Sequence, residues 1–169
     1  GKILRKKEIR IKNFRSILEV RIDIPKMEPI TFFVNHWPSQ SHSSALREFA
    51  GNKLLNRLKE LPKEKIVILG DFNFDPRYEG NSLFENKKLI DISPRYESNP
   101  GTYFYIPERK WFGFDRVLIS LNLLPNVAGF KILRGGELSK KFVLDGKIEK
   151  IPFRFRHTSI DPLYMGFSD

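Results

Sequence analysis

Two short apolar runs, Ile30–Val34 (ITFFV) and Ile66–Leu69 (IVIL), flank a segment whose apolar residues recur every three or four positions. Leu46, Phe49, Ala50, Leu54, Leu55, Leu58 and Leu61 give that segment one apolar stripe, so it reads as a helix. Ser43 or Ser44 can cap its start, and Pro62 stops it. The continuous runs suit strands buried on both faces, and the whole has the proportions of a strand–helix–strand crossover. A chain built around such a unit is α/β or α+β, with helices on an apolar sheet.

The flanking segments fit this frame. Ile9 and Ile11, and then Leu18, Val20, Ile22 and Ile24, alternate with charged residues, which predicts two half-buried strands joined through a turn at Asn13–Ser16. A short helical stretch is expected near Asn81–Asn86, a third buried strand at Val117–Ser120 and a fourth at Phe130–Leu133. Arg134–Asp169 shows few clear elements. At 169 residues and 40% apolar composition the chain suits one domain over residues 1–169. The absence of Cys excludes disulfides, zinc–thiolate sites and a cysteine nucleophile. No apolar stretch near the start could serve as a signal peptide, so a soluble, cytoplasmic protein is expected, with secretion left open if a leader was removed. Lys and Arg outnumber Asp and Glu 30 to 20, a surplus of +10 that attracts polyanions such as nucleic acid or an anionic membrane surface.

Four phrases carry chemistry. Gly70-Asp71-Phe72-Asn73 follows IVIL directly, so Asp71 and Asn73 fall at the carboxyl end of a strand and can both face one cleft. The carboxylate can bind a cation or take a proton from water, and the carboxamide can hold a nucleophile or metal. The same composition also forms turns. Asn35-His36-Trp37-Pro38-Ser39 places a His after ITFFV, while His42 reads as a solvated loop residue. Asp115, in Gly113–Ser120, lies at a strand mouth, with a surface Asp115–Arg116 pair as the plainer reading. The last phrase is Gly166-Phe167-Ser168-Asp169.

In this order, and with Thr102–Tyr105 and Trp111 between them, these phrases resemble the endonuclease/exonuclease/phosphatase superfamily, the metal-dependent phosphoesterases with the pancreatic-deoxyribonuclease-like fold. The resemblance implies a four-layer α/β sandwich, of which this chain covers mainly the carboxyl-terminal half. It implies that Asp71 activates the attacking water, that Asn73 holds it and a cation, and that His36 binds the phosphate oxygens. Asp115 would orient a His, and Asp71, Asn73 and Asp169 would hold Mg²⁺ or Mn²⁺. Asn35, Trp37 and Trp111 are candidate substrate contacts.

The family's upstream Asn and Glu, and the His after its terminal Ser-Asp, have no counterpart in this sequence. These 169 residues alone are therefore expected to be nearly inactive, with the amino-terminal half of the fold supplied by the same or another chain. DNA is the leading substrate, since basic charge with Trp37, Tyr103, Tyr105 and Trp111 near loops suits a phosphate backbone. Two alternatives stay open: a phospholipid or inositol-phosphate phosphoesterase, and a non-catalytic nucleic-acid-binding module.

Overall fold

The computed structural model describes residues 1–96, 101–105, 107–108, 110–132, 139–144 and 147–152, the last two stretches by their backbone alone. Its main sheet is built from β1 (Lys2–Ile11), β2 (Phe14–Asp23), β3 (Ile30–His36), β4 (Lys65–Asp71), β5 (Leu89–Asp91) and β8 (Asp115–Ser120). Their spatial order is β1-β2-β3-β4-β8-β5. Pairing is parallel between β3 and β4 and antiparallel elsewhere. The parallel pair comes from the expected crossover through α1 (Ser44–Lys59). Ser43 caps that helix, its hydroxyl accepting from the Ala45 amide at 3.2 Å.

Alternation decides which residues α1 covers. Ile17, Phe33, Ile66, Ile68 and Leu118 point to the helix and join Ala50, Leu54, Trp37, Phe72 and Phe74 in one buried core. The opposite face is only partly covered. There Ile30, Ile92, Ile119 and Leu123 form a smaller cluster with Phe32, Val67, Val117 and Phe130. The short 3₁₀ helix Leu121–Asn126 supplies Leu123 and Leu124. Burial of ITFFV and IVIL on both faces is therefore corrected: Val34 is 42% exposed, and Phe32, Val67 and Leu69 are half-buried. The described residues supply one main sheet and its helix layer.

Other elements were shorter or differently placed than the sequence suggests. The β1–β2 turn is tighter, with Lys12 at φ 45°. The Asn81–Asn86 stretch is a hydrogen-bonded turn rather than a helix. Phe130–Ile132 is irregular chain packed on the smaller cluster, not a strand, and Leu133 lies outside the described residues. β6 (Tyr103–Tyr105) pairs with β7 (Lys110–Phe112), and β9 (Ser139–Leu144) with β10 (Lys147–Pro152), so the carboxyl-terminal part holds a hairpin the sequence pattern did not reveal. The short α2 (Ser93–Tyr96) follows β5.

At Gly70 the backbone of β4 lies directly against Asn35 of β3. The glycine's φ is +131°, and a Cβ there would lie 2.0 Å from the Asn35 carbonyl oxygen. No side chain fits without moving a neighbouring strand. Gly70→Ala is expected to cost at least about 2 kcal/mol of stability, read as a lowered urea midpoint with an unchanged slope.

Candidate active site

The carboxyl ends of β3 and β4 and the amino end of β8 lie side by side, with His36 paired to Asp71 and Asp71 to Asp115 in the strand register. Beyond Asp71 the backbone turns. Asn73 takes φ 53°, and its amide donates to Asp71 Oδ1 at 2.7 Å. The turn reading and the site reading of this phrase are thus one arrangement, since the turn presents both side chains on the same side. Phe72, between them, points down into the core. Its amide donates to the Phe114 carbonyl at 2.9 Å, which fixes the turn against the residue before Asp115.

Asp71, Asn73 and Asp115 line a cleft of about 420 Å³ with Gln40, Glu108, Tyr103, Tyr105, Phe112 and Phe114. Tyr103 stacks on Phe114 at 5.1 Å, and Tyr105 stands 38% exposed at 6.4 Å from Tyr103. Three of the expected groups therefore share the cleft. His36 flanks it, with Nε2 4.0 Å from Asp71 Oδ2. An exposed Arg15 from the start of β2 places Nη1 2.8 Å from His36 Nδ1 and 2.6 Å from Nε2. A guanidinium only donates, so the ring nitrogen facing it must accept.

Other expected residues fall elsewhere. Trp37 is 2% exposed, edge-on to Phe72 and stacked with Phe74, so it packs the core beneath the cleft. Asn35 is buried as well. Its Oδ1 accepts from Trp37 Nε1 at 2.9 Å while its Nδ2 donates to the Phe33 and Leu69 carbonyls. Neither side chain faces the cleft, and the substrate contacts expected of them are replaced by a support role. Trp111 is half-buried in β7, outside the cleft lining, with its carbonyl accepting from Arg77. His42 is exposed, as expected, with its ring centre 5.0 Å from that of Phe14 in an edge-on arrangement. Asp169 lies outside the described residues.

A buried ionic cluster missed by sequence reasoning braces the cleft floor. Asp75 is fully buried and binds Arg77, the Gly113 amide at 2.7 Å and, more distantly, Arg116 at 3.4 Å. Burial pushes its carboxyl upward, but the hydrogen bonds from Arg77 and Gly113 hold it below the usual carboxylate range. Asp91, 3.3 Å from Arg116, is shifted the other way: burial raises it against the pull of that guanidinium. Gln40, Glu108, Phe112 and Arg15 were also missed. Strand register alone brings Arg15 near His36, and register is not written in an alternating pattern.

The donor chemistry around Asp71 fits part of a hard cation's shell. Asp71 offers carboxylate oxygen, and Asn73, with Nδ2 donating to the Trp37 carbonyl at 2.9 Å, has an Oδ1 that accepts from no described residue. Mg²⁺ needs six oxygens and keeps several waters. No group of three His, Cys, Asp or Glu side chains is placed to hold a metal among the described residues.

A mixed α/β sheet with a helix on one face, and with a carboxylate and a carboxamide over a cleft at its strand ends, defines a deoxyribonuclease-like fold. The chain belongs to the endonuclease/exonuclease/phosphatase family, whose model matches residues 2–169. A member of that family from Bacteroides thetaiotaomicron is similar in structure, with TM-score 0.63 and 16% identity over 89% of this chain and 60% of that one. Truncated Caenorhabditis elegans TDP2 gives 0.57 and 14%, covering 70% and 52%. D. rerio TDP2, in complex with a single-strand DNA product, gives 0.54 and 15%, covering 70% and 53%. The chain thus spans between 52% and 60% of the length of these structures. Comparison with the curated proteins gave no match. At the level of the family the chemistry is hydrolysis of phosphate esters, generally with a divalent metal.

Proposed function

We propose that this chain carries the phosphate-handling part of a divalent-metal-dependent phosphodiesterase acting on DNA. The observation that carries this reading is the convergence of Asp71, Asn73 and Asp115 on one cleft, with His36 4.0 Å from Asp71. The +10 charge suits either polyanion, and DNA is favoured over a phospholipid by the aromatic cleft wall and by the single-strand DNA product held by the D. rerio TDP2 neighbour.

In this reading Asp71 takes the proton of the attacking water as the new P–O bond forms, while the P–O ester bond opposite breaks and the sugar oxygen that leaves takes a proton from solvent water. Its Oδ1 is fixed by the Asn73 amide, so the carboxylate is oriented before substrate arrives. Asn73 Oδ1 orients that water. His36 donates to a non-bridging phosphate oxygen as charge accumulates on the phosphorus-bound oxygens. Asp71 and Asn73, with Asp169, would hold the metal, which supplies positive charge beside the phosphate and acidifies bound water. A water-facing Asp also distinguishes an enzyme from a simple binder, whose phosphate contacts come from Lys and Arg.

The same reading proposes that the rest of the family's site, and the cover for the half-exposed sheet face, come from an amino-terminal part of the fold. The test uses the full-length protein and a supercoiled plasmid. Nicking should require Mg²⁺ or Mn²⁺, stop with EDTA and return when the metal is restored. Turnover that persists in EDTA would reject the metal-dependent reading, and cleavage of phosphoinositide micelles but not of DNA would reassign the substrate.

A further inference from the structure

Among the described residues, six arginines (Arg5, Arg21, Arg47, Arg57, Arg77 and Arg116) lie against a carboxylate, and Arg10, Arg15 and Arg95 do not. Arg15, at the mouth of the cleft, instead abuts the His36 ring, and among the described residues it has no acidic partner. The same holds three residues earlier. Lys12 places its ammonium 5.0 Å from the centre of the Phe49 ring, and Lys53, on α1, places its own 5.4 Å from that ring. All three cations are exposed. Two ammonium groups gather on one ring, and no described carboxylate forms an ion pair with either. An anion would find unneutralised positive charge there.

These groups are continuous with the cleft. Gln40 lines it; His42, two residues on, meets Phe14; and Phe14 sits between Lys12 and Arg15 in the β1–β2 hairpin. We propose that Arg15, Lys12 and Lys53 form a track for consecutive phosphates of a nucleic-acid strand leaving the cleft over the β1–β2 turn. Its direction rests on the function proposed above, which puts the cut at Asp71. None of the exposed large apolar side chains among the described residues lies in this patch, and Phe14 and Phe49 are half-buried. Apolar insertion strengthens a basic patch's hold on a bilayer and is missing here, whereas a phosphate backbone needs spaced cations, which is what this face offers.

The test is binding of a fluorescent single-stranded 12-mer to the full-length protein in EDTA, measured by anisotropy from 50 to 300 mM salt. Lys12→Ala with Lys53→Ala should weaken binding about tenfold at 100 mM salt. It should also reduce the slope of log K against log salt by about 1.4, the loss of two single-strand phosphate contacts. The control, Lys87→Ala with Lys88→Ala, removes the same charge from exposed positions beside β5, at the opposite edge of the sheet, and should leave both quantities near wild type. Equal losses in the two double variants would overturn the track, because general attraction then suffices. Unchanged oligonucleotide binding, with weakened binding to phosphatidylserine vesicles, would overturn it in favour of a membrane surface. This readout needs no turnover, so a protein that binds through the track but cuts nothing would reject the proposed reaction alone.

Discussion

Asp71→Asn should lower phosphodiester hydrolysis by the full-length protein by about 10²- to 10⁴-fold, with the loss in kcat rather than in KM. The substitution keeps the size of the side chain and leaves an oxygen to accept from the Asn73 amide, now 2.7 Å from Oδ1, so the turn should hold. What disappears is the charge that takes a proton from water. Asp71→Ala should match that loss in rate and also loosen the turn, seen as faster amide exchange at Asn73. Melting temperatures should stay near wild type for the Asn variant, since Asp71 is partly exposed and belongs to the cleft rather than to the core. Activity within tenfold of wild type in the Asn variant would remove Asp71 from the chemistry and leave the turn as its role.

How much of this was readable beforehand follows from what a linear pattern encodes. The β3–α1–β4 crossover was legible because sixteen helical residues repeat their stripe several times, and each flanking strand is a compact apolar run. The three-residue strands β5, β6 and β7 are too short to show any period. The phrases around Asp71 and Asp115 were placed correctly at strand ends because the apolar runs beside them mark those ends. Trp37 and Asn35 were misplaced for a different reason. Polar and aromatic residues next to a His look like surface, yet the chain after β3 turns inward, with the Trp37 amide bonded to the Asp71 carbonyl at 2.9 Å. The apolar run at Phe130 is spent on the smaller cluster without pairing to a strand. Asp75 and Arg116 could not be told from surface charges, because a buried ion pair has no signature except its partner's position in space.

Glu19→Ala should be the most damaging single change away from the cleft, costing about 3–5 kcal/mol and lowering the melting temperature by about 10 °C. Glu19 has no exposed surface, yet it lies on β2 under α1 and joins three elements. Its Oε1 accepts from Arg5 Nε on β1 at 2.6 Å, and its Oε2 from Arg57 Nε on α1 at 2.7 Å. Glu64, bonded in turn to Arg5, Arg21 and Thr31, extends the network to β3 and the start of β4. Among the described residues, removing the Glu19 carboxylate leaves Arg57 with only the exposed Glu60, and leaves Arg5 leaning on Glu64 alone. Burial by itself would push the Glu19 carboxyl up, but the Arg57 and Arg5 guanidiniums outweigh it and hold it below the usual carboxylate range; Glu64 is lowered in the same way. The stabilisation from such depressed groups is present above their unfolded pKa and is lost as pH falls through the folded one. Wild-type stability should therefore be flat in this respect from about pH 5 to 8 and fall below about pH 4.5, with the half-buried Asp91, raised rather than lowered, opposing part of that fall. Glu19→Gln keeps the shape without the charge. It should lose roughly half as much stability at pH 7 as the Ala variant and show a shallower acid limb in urea titrations at pH 3–7. An acid limb as steep as the wild type's in Glu19→Gln would show that other carboxylates, not this one, set the acid sensitivity of the fold.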